Sequence, residues 1–265
     1  MMERRDFMIR TTKVLGVPFF ADSLATCESL FSRWLEATDP AWKHRARLVF
    51  TPNPEQLMLA HRNVSFFNLL QMSDCNLPDG IGVVWASRFL HPTVQRIKER
   101  ISGREMFFFL MARAEQQKYR VLLIGGKKGV ADLAMNRLQK QYPHAVFSSD
   151  GGAFDITHES REEHDRVLSH ISTFRPDVVC IAYGAPHQEQ WLLNNRAFLD
   201  RGGVRVAMVV GGTLDGVAGV VRQPSRLIAS LGFEWLWRLI QQPWRWKRQL
   251  ALLQFVHLIS KEKKK

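Results

Sequence analysis

VLLIGGKKGVADLAMNRLQKQ, Val121 to Gln141, reads as a strand, a glycine turn and a helix in succession. Four apolar residues, Val121 to Ile124, form a short run that suits a strand. Gly125-Gly126-Lys127-Lys128-Gly129 then breaks the run, and residues 129–141 carry the amphipathic spacing of a helix. The same order recurs along the chain. Further strands are expected at Arg47 to Phe50, Ala145 to Ser148, Val178 to Ala182 and Val206 to Val210. Helices are expected near 54–71, 80–90, 103–117, 159–173 and 187–198, with Pro54 and Pro186 placed at helix starts. Alternating strands and helices predict an α/β body around a largely parallel sheet flanked by helices. After Gly219 the pattern turns helical, roughly 224–241 and 244–260 with a break at Pro243. The expected organisation is a body over residues 1–221 and a helical C-terminal appendage over 222–265.

The 265 residues are 46% apolar and 23% charged, with 17 Gly and 11 Pro, which excludes disordered, collagen-like and low-complexity chains. The longest apolar run, Met106 to Ala112, falls far short of the roughly 18 residues that cross a bilayer. The N-terminal MMERRDFMIR leads into no signal-peptide core. Cys27, Cys75 and Cys180 are widely spaced and odd in number, which suits a reducing, cytoplasmic setting.

Charge is concentrated at one end. The formal net charge is +12, and residues 222–265 hold ten basic and two acidic side chains together with Trp235, Trp237, Trp244 and Trp246. Indole rings interleaved with Arg and Lys suit the headgroup layer of an anionic membrane. A terminal helix pair with Trp as core would show the same composition. Nucleic acid is disfavoured as a partner, because the rest of the chain is nearly balanced and contains no recognised binding module.

In open α/β sheets, ligands bind beyond the carboxyl ends of the strands. Four groups of residues lie there. Thr51-Pro52-Asn53-Pro54-Glu55-Gln56 brings a hydroxyl, an amide and a carboxylate to one helix start, where helix capping would use the same residues. Leu77-Pro78-Asp79-Gly80-Ile81-Gly82 sets Asp79 where amide donors favour a carboxylate, suited either to taking a proton from a sugar hydroxyl or to a plain turn. Gly125 and Gly126 let backbone N–H groups approach a phosphate, or simply make a tight turn; the spacing fits neither a Walker loop nor GxGxxG. Tyr183 to Trp191 and Val209 to Gly219 add Gln188 and Glu189 at a helix start, and Gly211, Gly212, Thr213 and Asp215 for a diphosphate, ribose or nucleotide. Metal-ligand spacings, a nucleophile elbow and a Cys/His pair are all missing from the sequence, so no metal or cofactor is expected.

These motifs, with Glu99-Arg100-Ile101-Ser102-Gly103, PDVVCIAYGAPHQEQW (176–191), VVGGTLDGVAGVVRQP (209–224) and GFEWLWRLIQQPWRWKRQ (232–249), resemble the WecB/TagA/CpsF glycosyltransferases, glycosyltransferase family 26. The resemblance spans about residues 45 to 255. It implies a Rossmann-like, inverting, metal-independent transferase. Such an enzyme moves a hexose or N-acetylhexosaminyl group from a UDP-sugar to a polyprenyl-diphosphate-linked sugar at the inner face of the cell membrane, in surface-polysaccharide or teichoic-acid-type synthesis. By the same resemblance Asp79 is the general base, Thr51 and Asn53 line the sugar pocket, Arg100 positions substrate, and Gln188 contacts the sugar. The glycine turns at 125–126 and 211–212 lie on the nucleotide side, and Arg222 and Arg226 are diphosphate ligands. A non-catalytic nucleotide-binding scaffold or regulatory protein on the membrane is the alternative of a different class. A nicotinamide-dependent oxidoreductase is disfavoured by the missing GxGxxG. Donor sugar, acceptor sugar and oligomeric state, a homo-oligomer included, stay open.

Overall fold

A computed structural model describes residues 9–36, 45–221 and 246–263, together with 237 and 239. Six strands form one parallel sheet: β3 (Arg47–Phe50), β4 (Cys75–Asn76), β5 (Arg120–Gly125), β6 (Val146–Asp150), β7 (Val178–Ala182) and β8 (Val206–Val209), in the order β4-β3-β8-β7-β5-β6. A separate antiparallel hairpin, β1 (Thr11–Val14) and β2 (Val17–Phe20), turns through Leu15 and Gly16, both at positive φ. Positive φ at both turn residues matches the twist of a two-residue hairpin.

The side-chain period of two divides the core into two layers. Leu122 and Ile124 of β5, Val179 and Ile181 of β7, and Ala207 and Val209 of β8 face one layer. Val121, Leu123, Val178, Cys180, Val206 and Met208 face the other. Burial on both faces is why these strands read as unbroken apolar runs. The first layer is covered by α2 (Pro54–Arg62), α3 (Val64–Gln71), α4 (Ile81–Leu90), α7 (Arg161–Phe174), α8 (His187–Asn194) and α9 (Arg196–Arg201). The second is covered by α1 (Leu24–Glu36), α5 (Gly103–Gln117), α6 (Val130–Gln141) and α10 (Thr213–Val217).

The expected α/β body with a parallel sheet is therefore present, and α5 has the bounds read from the sequence. Two expected helices are each divided. Residues 54–71 form α2 and α3 because Asn63 leaves the helical region and caps α3, accepting from the Phe66 N–H. Residues 187–198 form α8 and α9, separated at Asn195, whose amide donates back to the Trp191 carbonyl. The strand expected at Ala145 to Ser148 runs instead from Val146 to Asp150, paired along its length with β5.

At the C-terminal end, α11 (Trp246–Glu262) packs against α2 and α4. Phe255 and Ile259 enter the first core layer, and a Cβ on Gly82 would lie 3.9 Å from Phe255 Cε1. Apart from residues 237 and 239, the expected helix over 224–241 lies outside the described residues, as do the break at Pro243, Arg222 and Arg226.

Candidate active site

Three helices begin close together at one end of the sheet's carboxyl edge. Asn53 caps α2 reciprocally: its Oδ1 accepts from the Gln56 N–H at 3.0 Å, and Gln56 Oε1 accepts from the Asn53 N–H at 3.2 Å. Capping thus occupies the Asn53 side-chain oxygen. Ser102 and Glu105 cap α5 in the same way. Gly80 starts α4 at φ +109, a conformation that favours glycine. Gly82 lies so near α2 that a Cβ there would come 2.8 Å from Pro54 Cγ.

Asp79 sits between these helix starts, half-buried, in the loop after β4. The loop is pinned by the Leu77 N–H donating to the Phe50 carbonyl at 2.8 Å, and by the Ile101 N–H donating to the Pro78 carbonyl at 3.3 Å. The second bond brings the segment carrying Arg100 alongside the Asp79 loop. The Arg100 guanidinium lies 4.0 Å from Glu105 Oε2 and is mostly covered. Thr51 joins the group from β3, because a Cβ on Gly103 would meet Thr51 Cγ2 at 2.9 Å. Thr51, Asn53, Asp79 and Arg100 are therefore assembled by backbone pairing and glycine contacts. The surrounding helix N-termini favour negative charge there.

The glycine turns lie farther along the edge. Adjacent strands are about 4.8 Å apart, so the turn after β8 is about 10 Å from the Asp79 loop and the turn after β5 about 19 Å. Gly211, at φ +46, is open on its Cβ side. Thr213 is buried at the start of α10, and the Asp215 backbone carbonyl accepts from the Val220 and Val221 N–H groups. At the β5 turn the glycines also have a packing reason. A Cβ on Gly125 would come 2.7 Å from Tyr183, and one on Gly126 would come 3.0 Å from Val130.

Between these regions, α8 opens with two buried polar side chains. Gln188 is 2% exposed and Glu189 1%. Gln188 Oε1 accepts from the Gly184 N–H at 3.2 Å, and its Nε2 donates to Glu189 Oε1 at 3.1 Å. Glu189 Oε2 is buried without a hydrogen-bond partner. Burial pushes the Glu189 carboxyl up to about 7, against the smaller opposing pulls of the Gln188 amide and of its own backbone N–H. Sequence reasoning put Glu189 at this helix start but did not assign it a role, since a first-turn glutamate is ordinarily a solvated partner of the helix dipole.

Residues 12–265 match the glycosyl transferase WecG/TagA/CpsF family. The chain belongs to that family. WecG/TagA/CpsF membership makes it a glycosyltransferase and decides against the non-catalytic scaffold. Among its relatives is the N-acetylglucosaminyldiphosphoundecaprenol N-acetyl-beta-D-mannosaminyltransferase of Bacillus subtilis strain 168, 34% identical over 82% of this chain and 80% of the relative. The proteins of that same description from Bacillus spizizenii (84% of this chain, 82% of the relative) and Staphylococcus aureus MRSA252 (82% and 81%) are 30% and 29% identical.

Proposed function

We propose that this protein transfers an N-acetylmannosaminyl-type or related hexosyl group from a UDP-sugar to a polyprenyl-diphosphate-linked sugar. The reaction inverts the anomeric carbon and serves cell-envelope polysaccharide or teichoic-acid-type synthesis. The observation that carries this reading is the joining of Thr51, Asn53, Asp79 and Arg100 at three helix starts, in a chain whose relatives include mannosaminyltransferases for a lipid-diphosphate acceptor. Asp79 takes the proton from the acceptor hydroxyl as that oxygen attacks the anomeric carbon. The bond from that carbon to UDP breaks on the opposite face. Arg100, the appendage arginines Arg222 and Arg226, and backbone N–H groups stabilise the departing diphosphate, with no bound metal in the proposal. Gly125, Gly126, Gly211, Gly212, Thr213 and Asp215 serve the nucleotide.

The anionic membrane surface is the proposed place of work, reached from the cytoplasmic side. No helix among the described residues is long and apolar enough to cross a membrane. Support for surface attachment comes from α4 of the body together with α11 of the appendage. Ile81 and Trp85 of α4 and Leu253 and Val256 of α11 are exposed on two helices that pack together, and Lys263 Nζ lies 4.1 Å from the centre of the Phe89 ring. Apolar side chains with Trp and Lys suit a bilayer interface, and this ridge starts two residues after Asp79.

The test is a panel of UDP-sugars with synthetic N-acetylglucosaminyl-diphosphoprenol, read by mass spectrometry. A glycosylated lipid with release of UDP is expected, with UDP-N-acetylmannosamine the leading donor. No lipid product with any UDP-sugar would overturn the reading.

A further inference from the structure

Glu189 is expensive to keep where it is. A carboxyl buried to 1% exposure normally has a cation or several N–H donors around it. Among the described residues Glu189 has one side-chain donor, the Gln188 amide, and its Oε2 has none. No charged group comes to its aid among the described residues packed on α8. The facing elements α3 and β8 contain no titratable side chain. Arg47 of β3 is at the sheet's opposite end, 3.5 Å from Asp74. Arg196, Asp200 and Arg201 of α9 follow the far end of α8, with Arg196 tied to Asp74 and Asp200 to the Ala46 N–H. His187 is the only other titratable residue of α8. Tyr183 in the preceding loop is half-buried, its hydroxyl pushed up by burial. Glu159 and His164, paired with each other, reach α8 at Trp191, whose indole N–H donates to Glu159 Oε1 at 3.3 Å. A leucine of similar volume would fill the space without the desolvation.

What Glu189 does that leucine cannot is accept a hydrogen bond from Gln188. A glutamine amide can flip, exchanging its oxygen and nitrogen. Here the Gly184 N–H requires the oxygen on one side and Glu189 requires the nitrogen on the other, so only one orientation satisfies both. That orientation leaves one Nε2 hydrogen and one Oε1 lone pair uncommitted. We propose that Glu189 is a positioning residue, fixing the Gln188 amide so that its remaining N–H donates to a hydroxyl or N-acyl carbonyl oxygen of the bound sugar. This rests on the reading of Gln188 as a sugar contact. The neutral carboxyl is the working form, because the Gln188 amide and the Glu189 backbone N–H are too few donors for an ionised group, which would draw water into the pair.

The test uses the full chain with UDP-N-acetylmannosamine and the synthetic acceptor. Gln188→Ala and Glu189→Leu should each raise the donor KM about tenfold, the effect of one hydrogen bond, and the double variant should be no worse than either. Glu189→Leu should melt at or above the wild-type temperature, which separates positioning from a folding role. Glu189→Gln, an analogue of the neutral acid, should keep the wild-type KM at pH 6 and lose an alkaline fall in kcat/KM centred near 7. In glutamine-labelled protein without substrate, the Gln188 side-chain amide signals should titrate near the same pH, and Glu189→Gln should abolish that step. The proposal is overturned by a wild-type KM in Glu189→Leu beside a raised one in Gln188→Ala, by additive effects, or by a titration that persists in Glu189→Gln. Wild-type KM in both single variants, with transfer intact, removes Gln188 from the sugar site and the proposal with it, while the transferase reading stands.

Discussion

Raising the pH from 4.5 to 8.5 should destabilise the protein through Glu189, by an amount that follows from its burial. In the unfolded chain this carboxyl releases its proton near 4.5, and in the folded chain near 7. Between those values the folded state binds more protons, so stability is highest below 4.5, falls through the window and reaches its full loss above 7. At 1.36 kcal/mol per unit, the loss is on the order of 3 kcal/mol, a sizeable part of the stability of a typical domain. Asp150 acts in the opposite sense. Burial raises its carboxyl, but Arg166, the Gly152 N–H and His170 more than offset that, so its contribution is lost only as the pH falls. Glu189→Gln retains the oxygen facing Gln188 and removes the ionisation. Urea unfolding of both proteins at pH 5 and pH 8.5 isolates the effect, because every other group cancels in the difference. The Gln variant should gain about 2.5 kcal/mol on the wild type between the two conditions, because part of the loss is already present at pH 5. Parallel stabilities would refute the buried, unaided carboxyl.

Four further outcomes are expected. Asp79→Asn should lower turnover by about 10²–10⁴ while leaving the melting temperature and UDP binding unchanged, and undiminished turnover would remove Asp79 from the mechanism. Gly152→Ala should destabilise the protein by about 1–3 kcal/mol in urea unfolding, because a Cβ there overlaps the Tyr183 ring and φ is +68. Trp85→Asp should weaken partition to phosphatidylglycerol-rich vesicles without changing the fold seen by circular dichroism, and unchanged partition would count against the α4–α11 ridge as the membrane face. Transfer should proceed at the same rate in EDTA, and activity lost in EDTA but restored by magnesium would contradict the metal-independent proposal.

The sheet was legible because its strands are buried on both faces and their apolar runs stand out against amphipathic helices. The two-residue strand β4 carries no such signal: it exists because Cys75 and Asn76 pair with Val49 and Phe50, a contact that only the assembled sheet supplies. Hairpin β1–β2 was missed for a similar reason, since Leu15 occupies a positive φ that its residue type does not advertise. The divisions at Asn63 and Asn195 came from local asparagine bonds competing with helix continuation. Thr51 and Asn53 could be placed after a strand and Asp79 at a helix start from the sequence, whereas Arg100 entered through the family resemblance alone. The bond from Ile101 to Pro78 that brings Arg100 to the Asp79 loop is a tertiary fact. The cost of Glu189 was hidden too, because the sequence shows a glutamate at a helix start and not the packing that covers it.

Sheet order also constrains how the proposed parts can cooperate. A transfer reaction needs base, sugar and leaving diphosphate within a few ångströms, yet the Asp79 loop and the β5 turn are about 19 Å apart. The β8 turn is only two strands from Asp79, and Gly211 is open on its Cβ side, whereas Gly125 and Gly126 are packed against Tyr183 and Val130. Under the proposed function the diphosphate would lie nearer the β8 turn, within reach of the Asp79 group, and the β5 turn would serve the distal part of the nucleotide. Gln188, which follows the intervening strand β7, then falls between the two regions, where one amide held in a fixed orientation can touch the sugar without approaching the base. Replacing Gly211 by a bulky residue should accordingly impair UDP binding more than replacing Gly129, whose Cβ side is equally open but which lies at the start of α6 after the β5 turn. Titration calorimetry with UDP distinguishes the two, and equal losses would return the diphosphate to the β5 side.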